Sequence, residues 1–257
     1  MAARFILYPF YKVYEWRLEK SVKSLPLPHH IGLILDGNRR FARFVGIPEK
    51  VAHASGADKL EEVLDWCWKR GIKIVTVYAF SAENFNRPDK EVSELMEMFE
   101  EKFLEVAQHE RVHKEKVRIK TLGKTDLLPP RLRKAISRAE RATESYSNYQ
   151  LNIAVGYGGR LEIVEACKKI AAKVGQGSLI PSEIDEDLIR AHLYTNGIPD
   201  PDLIVRTSGE ERLSGFLLWQ SAYSELYFCE SYWPQFREID FLRAVRTFQQ
   251  RERRFGG

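Results

Sequence analysis

Six short apolar, β-branched runs alternate with longer helix-like runs, and this predicts an α/β fold: one largely parallel six-stranded sheet flanked by helices. Two further observations point the same way. The run at 31–35 is continuously apolar, as expected of a parallel strand covered on both faces. Polar and charged residues also collect just after the runs, where open parallel sheets bind ligands.

In chain order, 31–35 reads as the first strand, 54–69 as a helix ended by Gly71, and 72–79 as the second strand. The segment 91–109 reads as a long helix, with Val92, Leu95, Met96, Phe99, Phe103, Val106 and Ala107 on one face. A strand at 117–122 precedes a charged helix over 129–145 with proline at its start. A strand at 151–155 leads through Gly156-Tyr157-Gly158-Gly159 into a helix over 161–174. A shorter helix at 185–194, strands at 203–205 and 226–228, and a last helix at 239–251 complete the pattern.

Length and composition set outer bounds. The 257 residues are enough for one large core, and 44% hydrophobic with 30% charged residues is an ordinary globular composition. A net charge of +4 lends no support to a nucleic-acid partner. Cys67, Cys167 and Cys229 are far apart and form no CxxC pattern, so three packed thiols in a reducing compartment are expected, and zinc is not. No secretory signal or membrane span is legible, which places the chain in the cytoplasm. Residues 1–28 read as an extension before a main domain over 29–257. The extension mixes aromatic residues such as Phe5, Tyr8 and Trp16 with Arg4, Lys12 and Arg17. That mixture suits peripheral contact with a membrane surface, and it equally suits a helix packed on the protein's own body. Pro9 is expected to break or begin a helix there.

The chemistry-bearing residues follow three strands. After the first come Asp36-Gly37-Asn38-Arg39-Arg40: a carboxylate suited to a cation, a glycine that lets backbone approach a ligand, an Asn suited to capping the next helix, and two arginines at that helix's start. After the second come Ser81, Ala82, Glu83, Asn84, Phe85 and Arg87. After the fifth come Arg206, Arg212, Leu213 and Ser214, a second anion-binding set, with Glu225 following in an apolar setting. The implied chemistry is two anionic substrates and one cation, with no evident covalent nucleophile.

These motifs resemble those of the cis-prenyltransferases, which include undecaprenyl and dehydrodolichyl diphosphate synthases. The first signature is His30-Ile31-Gly32-Leu33-Ile34-Leu35-Asp36-Gly37-Asn38-Arg39-Arg40, and the second is Tyr78-Ala79-Phe80-Ser81-Ala82-Glu83-Asn84-Phe85-Asn86-Arg87-Pro88. The third runs over 202–228, and the ending at 251–257 also fits. The resemblance implies helices and a parallel sheet around a hydrophobic tunnel in a homodimer. The implied reaction is addition of isopentenyl diphosphate to an allylic diphosphate, farnesyl or geranylgeranyl, giving a cis-polyprenyl diphosphate used as a lipid glycosyl-carrier precursor. It implies Mg²⁺ at Asp36 and, across the dimer, at Glu225. It implies that Gly37, Asn38, Arg39, Arg40 and Arg87, with His53 nearby, hold the allylic diphosphate, and that Phe41 and Phe85 lie beside the prenyl chain. Ser81, Ala82, Glu83 and Asn84 fall at the reacting centre, Asn84 matching a proton acceptor. Arg206, Arg212, Leu213 and Ser214 match the isopentenyl diphosphate site, and Arg254 and Gly256 match a tail that reaches the partner's substrate. The tunnel wall is expected from Val92, Leu95, Met96, Phe99 and Phe103. Three positions depart from the bacterial pattern: Glu49, beside Lys50, stands where bacterial members carry an arginine, which bears on allylic diphosphate binding, while Arg39 and Ser208 stand where a glycine is common and resemble archaeal or eukaryotic members.

Overall fold

His30–Ile34 (β1) is buried at every position, as a strand covered by helices on both faces must be. β1 pairs in parallel with β2 (Ile74–Ser81) on one side and β5 (Leu203–Arg206) on the other. β4 (Tyr149–Tyr157) and β3 (Val117–Leu122) extend the sheet beyond β2, and β6 (Glu225–Phe228) extends it beyond β5. The order β3-β4-β2-β1-β5-β6 is parallel throughout. All carboxyl ends therefore share one edge, and the chain reverses its direction of winding around β1, where such folds open a crevice. This computed structural model describes residues 2–250, with side-chain surroundings from residue 13 onward.

The helices are α1 (Ala2–Lys23), α2 (Asn38–Val45), α3 (Glu49–Lys69), α4 (Asp89–Val106), α5 (Glu110–Lys114), α6 (Pro130–Thr143), α7 (Gly159–Gly175), α8 (Glu186–His192) and α9 (Glu238–Gln250). Several boundaries differ from expectation. α3 begins five residues early, at Glu49, because Pro48 supplies an extended entry. The expected 91–109 helix stops at Val106 and the short α5 follows it. α1 runs through Pro9, so that proline neither begins nor ends the helix; near a helix start its missing N–H removes a single backbone bond.

One core cluster packs α3, α4, α6 and α9 against one face of the sheet, with Phe80, Phe103, Phe236 and Phe241 among its buried side chains, and a smaller one around Tyr78, Tyr157 and Phe216 covers the other face. The second half of α1 is part of the larger cluster. Leu18 and Val22 are buried against α9, and the Gln249 amide donates to the carbonyls of Val22 and Leu25 at 2.9 and 3.1 Å. Val13 and Trp16 on the same helix stay exposed beside Lys20. Cys67 and Cys229 are buried as expected, but Cys167 is exposed on α7. Among the described residues no helix is long and apolar enough to cross a membrane.

Candidate active site

The carboxyl ends of β1, β2 and β5 deliver Asp36, Ser81 and Arg206 to one place. Arg206 is 4% exposed, and its guanidinium is shared three ways. It donates to Asp36 Oδ2 at 2.7 Å, to Ser214 Oγ at 2.8 Å and to the Arg212 carbonyl. Arg40, one turn into α2, donates to the same Asp36 oxygen at 3.3 Å and to Glu210 Oε1 at 2.8 Å, and Glu210 in turn binds Arg212. The result is an alternating row, Arg206–Asp36–Arg40–Glu210–Arg212, at the rim of the sheet.

Backbone geometry places these groups. Gly37 holds φ at +106°, and a Cβ there would lie 3.0 Å from Ser208 and Tyr232, so only glycine lets β1 turn into α2. Gly37, not Asn38, is the N-cap of α2; Asn38 is its first helical residue and donates to the Leu35 carbonyl at 3.3 Å. Thr207 Oγ1 and the Trp233 N–H both donate to the Asp36 carbonyl, at 2.7 and 3.0 Å, fixing the strand end below the carboxylate. After β2, a single 3₁₀ turn carries Ala82 to Asn86, and the Ser81 N–H donates to Asn84 Oδ1 at 3.0 Å. Tyr78 stacks on Phe216 with centroids 4.9 Å apart and donates to the Ser214 carbonyl at 3.3 Å, tying β2 to the loop after β5. Burial raises the Tyr78 phenol above its ordinary pKa, so it acts as a neutral donor.

A cavity of about 440 Å³ opens at this row. Its mouth is polar, with Asp36, Asn38, Arg40, His53, Ser81, Asn84, Arg87, Arg206, Arg212 and Ser214. Its interior runs between α3, α4 and the sheet over Leu60, Leu64, Leu95, Met98, Phe99, Phe103, Val106, Leu151 and Ile153. A cavity near 150 Å³ accepts benzene, so this one takes roughly three such volumes, about the bulk of a medium-length prenyl chain. A second cavity of about 80 Å³ continues past its far end, toward Trp68, Val112 and Ile119. The arrangement can grip anionic groups at one end and shelter a hydrocarbon at the other.

Comparison with known proteins agrees. The family model described as "Putative undecaprenyl diphosphate synthase" matches residues 34–256. The chain belongs to this family. As a cis-prenyltransferase it is 56% identical over 255 residues to a geranylgeranyl-diphosphate-specific tritrans,polycis-undecaprenyl-diphosphate synthase of Methanopyrus kandleri, covering 99% of this chain and 94% of that one. It is 54% identical to the protein of the same name from Thermoplasma volcanium, covering 95% of each. Among solved structures, lavandulyl diphosphate synthase from Lavandula x intermedia, in complex with dimethylallyl diphosphate, has a TM-score of 0.86 at 38% identity, covering 90% of this chain and 99% of that one. A probable undecaprenyl diphosphate synthase from Campylobacter jejuni has a TM-score of 0.74 at 28% identity, covering 91% of this chain and all of that one. The archaeal character expected from Arg39 and Ser208 agrees with the archaeal relatives.

Not every expected prenyltransferase residue meets at the cavity. Arg39 faces a neighbouring cavity between α3 and α4, beside Glu49 and Glu91. Phe41 is half-buried on α2 and does not line the main cavity. Ala82 and Glu83 sit on the 3₁₀ turn, while Phe85 turns edge-on to Phe80 at 4.9 Å and faces a separate cavity toward α6. Leu213 packs against the second apolar cluster, around Tyr78 and Phe216. Glu225 is opposite Leu203 at the amino end of β6, three register steps from Arg206, so this chain alone does not bring it to Asp36. Arg254 and Gly256 lie outside the described residues. The expected tunnel wall needs correction: Leu95, Phe99 and Phe103 line the cavity, but Val92 and Met96 face the α6 side. Met98, Lys102 and Val106 complete the true wall. They follow Leu95 at helical spacing, and the charge of Lys102 hid the stripe in the sequence.

Proposed function

We propose that this chain condenses isopentenyl diphosphate with geranylgeranyl or farnesyl diphosphate, repeatedly, to give a longer Z-polyprenyl diphosphate that is the precursor of a lipid glycosyl carrier. The names of its archaeal relatives favour geranylgeranyl diphosphate as primer. The observation that carries the reading is the continuity of one cavity, from a mouth of Asp36 and four arginines to an interior of aliphatic and aromatic side chains.

The residues divide the work. Arg40 and Arg87, with Asn38 and the α2 backbone, hold the allylic diphosphate; Arg206, Arg212 and Ser214 hold that of isopentenyl diphosphate. As the allylic C–O bond breaks, charge builds on the leaving pyrophosphate, where fixed guanidinium groups stabilise it. The double bond of isopentenyl diphosphate attacks the allylic carbon, forming the new C–C bond, and a proton leaves to restore a double bond. Asn84 stands as the acceptor; one lone pair of its Oδ1 takes the Ser81 N–H, which fixes the side chain, and the second is left for the departing proton. The apolar wall excludes water from the allylic cation.

The oxygen chemistry of the mouth suits Mg²⁺. Asp36 offers one carboxylate there, which would hold the ion together with oxygens of the bound diphosphates. When bound, Mg²⁺ supplies Lewis-acid stabilisation of the leaving diphosphate. Glu225 reaches that site from a second copy in a homodimer. Val13 and Trp16 on α1, exposed beside Lys20 and Arg17, favour peripheral docking at the cytoplasmic membrane surface, where a polyprenyl product partitions.

The test is purified chain with Mg²⁺, labelled isopentenyl diphosphate and either primer, followed by chain-length analysis of the product. The expected product is a ladder of cis-polyprenyl diphosphates. No incorporation with either primer would overturn the proposal.

A further inference from the structure

Three elements meet at one carboxylate oxygen beside the mouth of the cavity. Glu91 lies in the first turn of α4 and is 8% exposed. Its Oε1 accepts from Arg87 Nη1 at 3.0 Å, and lies 3.7 Å from Arg39 Nε on α2 and 3.8 Å from His53 Nε2 on α3. Only the Arg87 contact is a hydrogen bond. Arg39 Nε and His53 Nε2 are buried and have no hydrogen-bond partner among the described residues. Buried polar atoms are rarely left unmatched, so two groups here are held near an anion without being satisfied by it.

Charge sharpens the point. Glu49 lies 3.5 Å from Arg39 and 3.8 Å from Arg43. Three arginines, Arg39, Arg43 and Arg87, thus face Glu49 and Glu91, with the His53 imidazole, whose pKa burial lowers, alongside. A diphosphate arriving at Arg87 must share that guanidinium with Glu91 or displace it, because a carboxylate oxygen and a phosphate oxygen seek the same N–H groups. Glu91 cannot withdraw far, being buried at a helix N-terminus that favours its charge.

From this geometry we infer that Glu91 is an internal competitor for pyrophosphate. It occupies the Arg87 guanidinium between ligands and loosens the grip of the site on the pyrophosphate that each condensation leaves behind. Repeated elongation needs that release once per added unit, and a pocket of unopposed arginines would retain the by-product. This rests on the proposed function, because it takes the anion at Arg87 to be the allylic diphosphate. Glu91 is a positioning residue that acts through Arg87 and Arg39.

Titration calorimetry of inorganic pyrophosphate, with Mg²⁺ present, tests this on the full chain without turnover. Glu91→Gln keeps the shape and removes the charge, and is expected to bind pyrophosphate about tenfold more tightly than wild type, a change of ~1.4 kcal/mol. Glu91→Asp keeps the charge but draws it back from Arg87, and is expected to bind about two- to threefold more tightly, consistent with the fall of attraction with distance. In steady state, Glu91→Gln should lower KM for the allylic primer and lower kcat, while KM for isopentenyl diphosphate stays put; a merely structural glutamate would not divide the two substrates in this way. Unchanged or weaker pyrophosphate binding in Glu91→Gln overturns the inference, and if that variant fails to fold, unchanged or weaker binding in Glu91→Asp does so. Wild type that neither binds pyrophosphate nor elongates a primer refutes the proposed function instead.

Discussion

The Asp36 carboxylate accepts a 2.7 Å hydrogen bond from the Arg206 guanidinium, bridging the carboxyl ends of β1 and β5. A group expected to meet a cation and a group expected to meet a diphosphate thus hold each other. Asp36→Ala should abolish incorporation of labelled isopentenyl diphosphate and leave buried Arg206 short of one partner. The expected stability loss is about 1–3 kcal/mol, since Ser214 and the Arg212 carbonyl still accept from it. Near-wild-type turnover in a folded Asp36→Ala protein would refute the assigned role.

Ser208 carries φ of +81°, a left-handed conformation in a residue with a side chain, and its Oγ is buried without a hydrogen-bond partner. By the family resemblance, glycine is common at this position in bacterial members. Ser208→Gly should therefore raise stability by about 0.5–1 kcal/mol, relief of left-handed strain outweighing the added freedom of the unfolded chain. Thermal melting at fixed pH decides the sign.

Gly56 on α3 leaves no space for a methyl group. A Cβ there would come within 2.6 Å of Asn38 Oδ1, while the Gly56 carbonyl already accepts from Trp233 Nε1 at 2.7 Å. Gly56→Ala should push Asn38 out of the cavity mouth and raise KM for the allylic substrate several-fold, with less effect on isopentenyl diphosphate. Equal effects on both substrates would place Asn38 elsewhere in the reaction.

His30 is buried at the amino end of β1. Its Nδ1 lies 2.7 Å from the Pro199 carbonyl, which can only accept, so Nδ1 carries the proton and Nε2 accepts from the Thr76 hydroxyl. Burial pushes its pKa down from 6.5 to about 4. Between those values the unfolded chain binds the extra proton and the folded one does not, so this contribution is complete above pH ~6.5 and is lost as pH falls toward 4, on the order of 3 kcal/mol in all. An NMR titration showing His30 protonated near 6.5 in the folded protein would contradict this.

Phe103 is 3% exposed and lines the interior of the cavity from α4. Phe103→Ala should cost about 3–5 kcal/mol of stability and shift the product distribution toward longer chains. Mass spectrometry of the products gives the answer, and an unchanged distribution in a folded variant would remove Phe103 from the wall.

Much of this site was legible in the sequence because parallel strands deliver their next residues to one edge. Asp36, Ser81 and Arg206 follow apolar runs directly, so recognising the runs located the site. What remained hidden depended on rotation and depth. Val92 and Met96 share the apolar character of Leu95 and Phe99, and only the packing of α6 against one side of α4 separates them. Glu91 reads as one of many surface acids on α4, and nothing in its neighbours announces its burial between Arg39, His53 and Arg87. The capping role expected of Asn38 passed to Gly37, because the turn after β1 needs a positive φ one residue sooner.

The cavity volume has a mechanical consequence. Space suited to a primer cannot enclose the product of many additions, so on the proposed function a lengthening chain would press on α3, α4 and the Glu61–Lys102 ion pair that spans them. Product size would then reflect the work of prying two helices apart rather than the depth of a fixed bore. A stiffer seam between those helices would make a shorter ruler, with every diphosphate contact left as it is.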